Sequence, residues 1–305
     1  MAPFLATYFQ DGGDTTDQLN EDQRLYTAMS ADGTTFTPMG RIPTNGTNNK
    51  ARDFSILPPS LAPDGKWHIA AGNHSVYNTP PQDSVDVYAG STFFGIDPNP
   101  QVVSCAAAKD SGTVQWAWAP EWFKDSDGTV YLIVSTSTNA DASLFQFYTW
   151  AIPATNASLT AWGTPVKLDG IPLGGIDLYA VKIGSTYYGF VKAGTIRMYT
   201  ASNFPAGPWT AVHTGSQTTA PDAGGDCEGP NVTNMGGGTY RLYYDKWTDN
   251  GTIKFTESSN TFATFSAAQT LVCSDNMRHA SIIDLADEPP LSVVATSSKR
   301  TQVAA

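Results

Sequence analysis

The sequence predicts an all-β fold, a five-bladed β-propeller of four-stranded antiparallel blades whose ring closes between the N- and C-terminal segments. Three observations carry this. Only 15% of the 305 residues are charged, while Gly and Pro contribute 27 and 20, a turn-rich composition with few of the charges that solvate helix faces. Apolar residues rarely recur at i, i+3, i+4 and i+7 over more than two turns, so long amphipathic helices are nearly absent. Strand, tight turn and strand recur instead at intervals of about 50 residues, a spacing typical of propeller blades.

Taken in chain order, residues 3–40 supply the outer strands of the closing blade, with the phrase Arg24-Leu-Tyr-Thr-Ala-Met-Ser-Ala-Asp-Gly-Thr-Thr-Phe36. Residues 51–107 form the first full blade. In the blade 116–169, Thr129–Ser135 follows the turn Asp127-Gly128, Leu144–Trp150 reads as the third strand, and Trp162 comes after it. The blade 176–214 repeats the phrase with Gly184-Ser185, Thr186–Val191, Ile196–Ser202 and Trp209, and the blade 227–273 with three glycines at 236–238, Thr239–Tyr244, Ile253–Ser259 and Phe265. Each pairing of a Gly-containing turn with a β-branched and aromatic run is a meander signal. Residues 277–285 then return as the inner strand of the closing blade.

The inner strands line the channel of a propeller, so their polar residues are the candidates for chemistry. They read Ala51–Ile56, Trp118–Phe123, Ile176–Val181, Cys227–Val232 and Met277–Ile282, with polar markers Asp53, Glu121, Asp177, Glu228 and His279 spaced by 68, 56, 51 and 51 residues. Carboxylates converging on one funnel push each other's pKa values apart. One can then donate a proton to a glycosidic oxygen while another activates water on the opposite ring face.

The run Ala51-Arg52-Asp53, Trp118-Ala119-Pro120-Glu121, Ile176-Asp177, Glu228-Gly229-Pro230 and Arg278-His279-Ala280-Ser281 resembles glycoside hydrolase family 43 in order and spacing over nearly the whole chain. The resemblance implies a five-bladed propeller with an inverting mechanism. It makes Asp53 the general base, Asp177 the carboxylate that orients and tunes the acid, and Glu228 the general acid. It also makes His279 the axial histidine that often contacts a calcium or other ion in the channel, directly or through water, with no cofactor required for the chemistry. Glu121 falls in a motif that is structural or substrate-lining. Two departures stand out: Phe54 follows the base where many relatives have Pro, and Ala280 follows His279 where Gly is common. Phe54 is therefore expected on the pocket floor and bears on substrate choice.

Trp116, Trp118 and Trp122 share one face if their segment is extended, and Trp118 is expected as a pocket wall, since aromatic faces stack on the apolar face of a sugar. Arg52 and Arg278 precede site residues; alternation points each away from its neighbour, and Arg278 is the better candidate for substrate binding.

A net charge of -11 with no Lys/Arg cluster excludes nucleic acid as a partner, and no apolar run approaches the roughly 20 residues that span a bilayer. A monomer acting on carbohydrate is the expectation. Five Asn-x-Ser/Thr sequons, at Asn45, Asn73, Asn156, Asn231 and Asn250, with few lysines, suggest a secreted, extracellular protein, and the Asn231 sequon is expected to be buried on its inner strand. No signal peptide is visible at Met1-Ala2-Pro3. Cys105, Cys227 and Cys273 allow one disulfide or three free thiols, and no Cys/His metal spacing exists.

The expected activity is hydrolysis of arabinofuranosyl or xylosyl linkages in plant cell-wall polysaccharide. The stretch after residue 285 is too short for the β-sandwich of two-domain β-xylosidases, which favours an arabinofuranosidase or arabinanase. Two rivals are weighed. A retaining fructan hydrolase would need a nucleophilic Asp in an Asn-Asp-Pro type motif, which is missing; a non-catalytic carbohydrate-binding propeller would have lost a catalytic carboxylate, and all three are present.

Overall fold

The computed structural model describes residues 3–10, 23–46, 50–73, 82–212, 226–249, 251–286 and 288. Among them, twenty strands form five four-stranded antiparallel sheets. In chain order the strands are β1 (Phe4–Phe9), β2 (Tyr26–Ser30), β3 (Phe36–Arg41), β4 (Arg52–Leu57), β5 (Trp67–Gly72), β6 (Ser84–Gly90), β7 (Gln101–Ser104), β8 (Trp116–Lys124), β9 (Val130–Ser137) and β10 (Tyr148–Pro153). They continue with β11 (Val166–Lys167), β12 (Ile176–Ile183), β13 (Thr186–Ala193), β14 (Thr195–Ala201), β15 (Thr210–Ala211), β16 (Cys227–Gly236), β17 (Thr239–Lys246), β18 (Thr252–Ser258), β19 (Gln269–Thr270) and β20 (Arg278–Asp284). Three of the helical segments are single 3-10 turns.

The blades are β4 to β7, β8 to β11, β12 to β15, β16 to β19, and a closing blade in the order β20-β1-β2-β3. The inner strands β4, β8, β12, β16 and β20 touch in a closed ring. Closure is antiparallel pairing of β1 with β20, from Phe4 opposite Asp284 to Thr7 opposite Ser281. A sheet edge that would otherwise stay open is thereby paired.

Apolar side chains bury between blades, and five clusters fill the five blade interfaces. Leu132, Trp122 and Val87 lie in one, Phe54, Phe9 and Trp67 in another. Phe123 and Trp209, Phe190 and Leu242, and Tyr243 and Ile282 mark the other three. Polar pins repeat beside the axis: Ser55 Oγ accepts from the Trp122 amide at 3.0 Å, Ser281 Oγ from the Ile56 amide at 3.2 Å, and Asn231 Oδ1 from the Ile282 amide at 3.2 Å. Each takes up a buried N–H that would otherwise lose its hydrogen bond.

All three cysteines are free thiols. Asn73 and Asn231 are buried, so these sequons are closed to glycan in the folded chain, whereas Asn156 is exposed. Asn250 lies outside the described residues.

Candidate active site

Every inner strand carries one left-handed residue, at Asp53 (φ 51°), Ala119 (φ 46°), Asp177 (φ 58°), Gly229 (φ 57°) and His279 (φ 44°). At each, pairing with the neighbouring strand slips. A bulge of this kind re-aims side chains, and a left-handed non-glycine residue costs on the order of 1–3 kcal/mol. Four such residues in equivalent places mark the mouth of the channel as a built site.

This repeat corrects the spacing read from the sequence. Asp53, Asp177 and His279 are equivalent, but Glu121 stands two residues after the left-handed Ala119 and Glu228 one residue before Gly229. The bulge at Ala119 also breaks the shared face expected of the three tryptophans. Trp116 and Trp118 cluster at the mouth with Phe147 and Ile176, while Trp122 turns into a blade interface and stacks on Trp162 at 6.0 Å. Phe54 is fully buried among Leu5, Phe9 and Tyr88 in the core, so it does not form the pocket floor.

The charged groups interlock. Arg52 Nε lies 3.2 Å from both carboxylate oxygens of Asp53, although alternation had pointed it away, because the left-handed turn at Asp53 brings the two side chains together. Glu228 is gripped from two sides, with Lys192 Nζ 2.5 Å from Oε2 and an Arg278 guanidinium nitrogen 2.8 Å from Oε1. Arg278 Nε also donates to Asp245 Oδ2 at 2.5 Å, and the His279 amide donates to the same oxygen at 3.1 Å. Asp177 Oδ2 accepts from the Gly229 amide at 3.0 Å, which ties it to the backbone beside Glu228. His279 Nδ1 sits 3.5 Å from Asp53 Oδ1, and its Nε2 sits 3.9 Å from Glu121 Oε1.

These contacts set the charges. Burial favours the neutral form of Glu228, but Lys192 and Arg278 outweigh it and hold the carboxyl at about 2. Burial lifts Asp245 to about 6 against the pull of Arg278, with the Glu228 charge adding to the lift. Asp177 is raised by burial, opposed by the His279 cation and reinforced by Glu228, and Glu121 is raised by burial. Burial would lower His279, yet Asp53 and Glu121 carry it up to about 10, so the axial imidazole is a cation at neutral pH.

That cation bears on the ion expected at the axis. His279 Nε2 and Glu121 Oε2 are buried without hydrogen-bond partners, a pair that suits a bridging water. No group of three or more His, Cys, Asp or Glu side chains that could hold a metal ion occurs among the described residues.

The sequence reading brought Asp53, Asp177, Glu228, Arg278, His279 and Trp118 to one mouth. It missed Lys192 and Asp245, which come from the second strands β13 and β17. Their signal was a charged residue ending an aromatic and apolar run, in Phe190-Val191-Lys192 and Tyr243-Tyr244-Asp245. The opposite end of the channel opens into a cavity of about 450 Å³ lined by Ser55, Tyr179, Asn231 and Ser281. Asp53, Asp177 and Glu228 do not line it.

Comparison with known proteins agrees with this geometry. A family model described as a probable glycosyl hydrolase domain, named for its relation to glycoside hydrolase family 43, matches residues 1–289. No curated protein matches the chain. Among solved structures, a family 43 arabinoxylan arabinofuranohydrolase from Bacillus subtilis shares the fold at TM-score 0.61 and 16% identity, over 90% of this chain and 65% of that one. An endo-1,4-beta-xylanase from Bacteroides thetaiotaomicron does so at 0.61 and 12%, over 88% and 94%. A Hadza microbial sialidase gives 0.60 and 13%, over 92% and 57%. The chain thus spans less than two thirds of the arabinofuranohydrolase and the sialidase.

Proposed function

The chain belongs to this glycosyl hydrolase family related to family 43, and from that premise we propose that it is an inverting glycosidase cleaving arabinofuranosyl or xylosyl linkages in plant cell-wall glycans. In this reading Asp53 is the general base, Glu228 the general acid and Asp177 the group that holds the acid in place. The observation that carries it is positional. Asp53 on β4 and Glu228 on β16 flank β20, with His279 between them and Asp177 bound to the amide next to Glu228. An inverting pair needs its carboxyl groups about 6.5–9.5 Å apart to admit water, whereas a retaining pair stands at about 5–5.5 Å.

Glu228 must gain a proton to act as an acid, and Lys192 and Arg278 oppose that. Arg278 is anchored by Asp245 as well, so Lys192, on a flexible four-carbon stem, is the cation that substrate displaces. Asp177, when ionised, then favours protonation of Glu228 by like-charge repulsion. The arabinofuranosyl or xylosyl choice is supported by the sequence resemblance and by the arabinoxylan- and xylan-named proteins that share the fold. A secreted location is supported by the exposed Asn156 sequon.

The test is Asp53→Asn and Glu228→Gln, each expected to lower kcat by about 10²–10⁴-fold with the circular dichroism spectrum unchanged. Proton NMR of the first-formed sugar should show the anomer opposite to the substrate's. Wild-type turnover in either variant would end the role assignment, and retention of configuration would end the inverting mechanism.

A further inference from the structure

Next to Lys192, which grips Glu228, stands a partly exposed aromatic ring, Phe145. Residues 144–150 read as a strand in the sequence, but Ala142–Leu144 is a 3-10 turn capped by Asp141, the strand starts only at Tyr148, and Phe145 between them is left-handed with φ 48°. A bulky residue rarely adopts that conformation. Phe145 is nevertheless 45% exposed, with Leu144 and Leu173 each 55% exposed on adjoining backbone. Its ring meets Trp118 edge to face at 6.2 Å, and the Lys192 ammonium lies 5.9 Å from its centre, the same ammonium that grips Glu228.

The loop is held, not loose. The Gly174 amide donates to the Phe147 carbonyl at 2.9 Å, and a Cβ at Gly174 (φ 84°) would lie 2.8 Å from the Phe145 carbonyl oxygen. A strained backbone, a braced loop and an exposed apolar ring together point to a binding role.

Resting on the hydrolase reading above, we infer that Phe145 is the stacking platform for the sugar on the leaving-group side of the scissile bond, so that the substrate is a glycan chain and not a glycoside of a small alcohol. The acid protonates the leaving oxygen, so the residue released next to Glu228 meets the wall on that side. There the exposed ring offers an apolar face to the C–H face of a sugar, and Lys192, once displaced from Glu228, is within reach of that sugar's hydroxyls.

The experiment compares kcat/KM on arabinobiose and xylobiose with kcat/KM on the glycosyl fluorides of the same sugars and anomeric configuration, whose leaving group cannot stack. Phe145→Ala should lose about threefold to tenfold on the disaccharide, the size of one aromatic contact, and stay within twofold of wild type on the fluoride. Phe145→Trp should keep the disaccharide activity. Gly174→Ala, which displaces the loop without removing the ring, should reproduce the selective loss. Val102→Ala, on the outer strand β7 and 53% exposed, should change neither. Equal losses on both substrates, or no loss on the disaccharide, would overturn the inference while leaving the hydrolase reading intact. Wild-type enzyme inert on every probe would overturn both.

Discussion

Replacing His279 by Asn should abolish a specific pH dependence of folding stability. The folded imidazole titrates at about 10, against 6.5 for an ordinary histidine. Between those values the folded protein holds a proton that the unfolded chain has released, so stability falls as pH rises. The contribution is fully present below pH 6.5 and gone once pH has passed 10. Each unit of displacement is worth about 1.4 kcal/mol, so the window amounts to roughly 5 kcal/mol at most. Asn suits the test because it tolerates the left-handed backbone at this position and can donate to Asp53 without titrating. Urea unfolding of both proteins in steps from pH 6 to pH 10.5 gives two stability curves. The wild-type curve should lose several kcal/mol relative to the variant across the window, and the two should run level above it. Curves that stay parallel from pH 6 to pH 10 would refute the idea that Asp53 and Glu121 keep a buried imidazolium at the axis.

Two further outcomes follow from neighbouring geometry. Gly229→Ala would place a Cβ 2.9 Å from His279 Cγ on a backbone with φ 57°, so it should destabilise the fold by roughly 1–3 kcal/mol and reduce turnover; a melting temperature within a degree of wild type would contradict this. Lys192→Met removes one of the two cations on Glu228, so carbon-13 NMR titration of the Glu228 carboxyl should show its midpoint rising from about 2, and an unmoved midpoint would mean that Arg278 alone holds it.

The blade count and ring closure were legible because strand phrases such as Thr129–Ser135 and Thr239–Tyr244 announce themselves by composition and turn chemistry, which are local. The three carboxylates were legible through their order along the chain. What stayed hidden depends on contacts between strands or on backbone conformation. Asp245 reaches the site only because β17 pairs with β16, placing it opposite Glu228. Phe145 was hidden because Leu-Phe-Gln-Phe-Tyr-Thr-Trp alternates like a strand, while the φ of a single residue decides that it leaves the sheet. Phe54 misled for the opposite reason: it follows Asp53 in sequence, but the bulge turns the chain so that its ring enters the core.

The pairing of β1 with β20 also decides when the charge network at the mouth can be complete. Arg278 and His279 lie on the strand that locks the ring, 274 and 275 residues after the Phe4 that starts its partner. A chain emerging from the ribosome can stack four blades in sequence, yet it lacks the cation that bridges Glu228 to Asp245 and the imidazole beside Asp53 until that strand is released and finds the N-terminal edge. The network thus depends on a pairing between segments far apart in sequence, a kind of contact that forms slowly. A molecule ending before residue 278 therefore lacks both Arg278, which bridges Glu228 to Asp245, and His279 beside Asp53, so the charge network at the mouth is complete only in a closed ring.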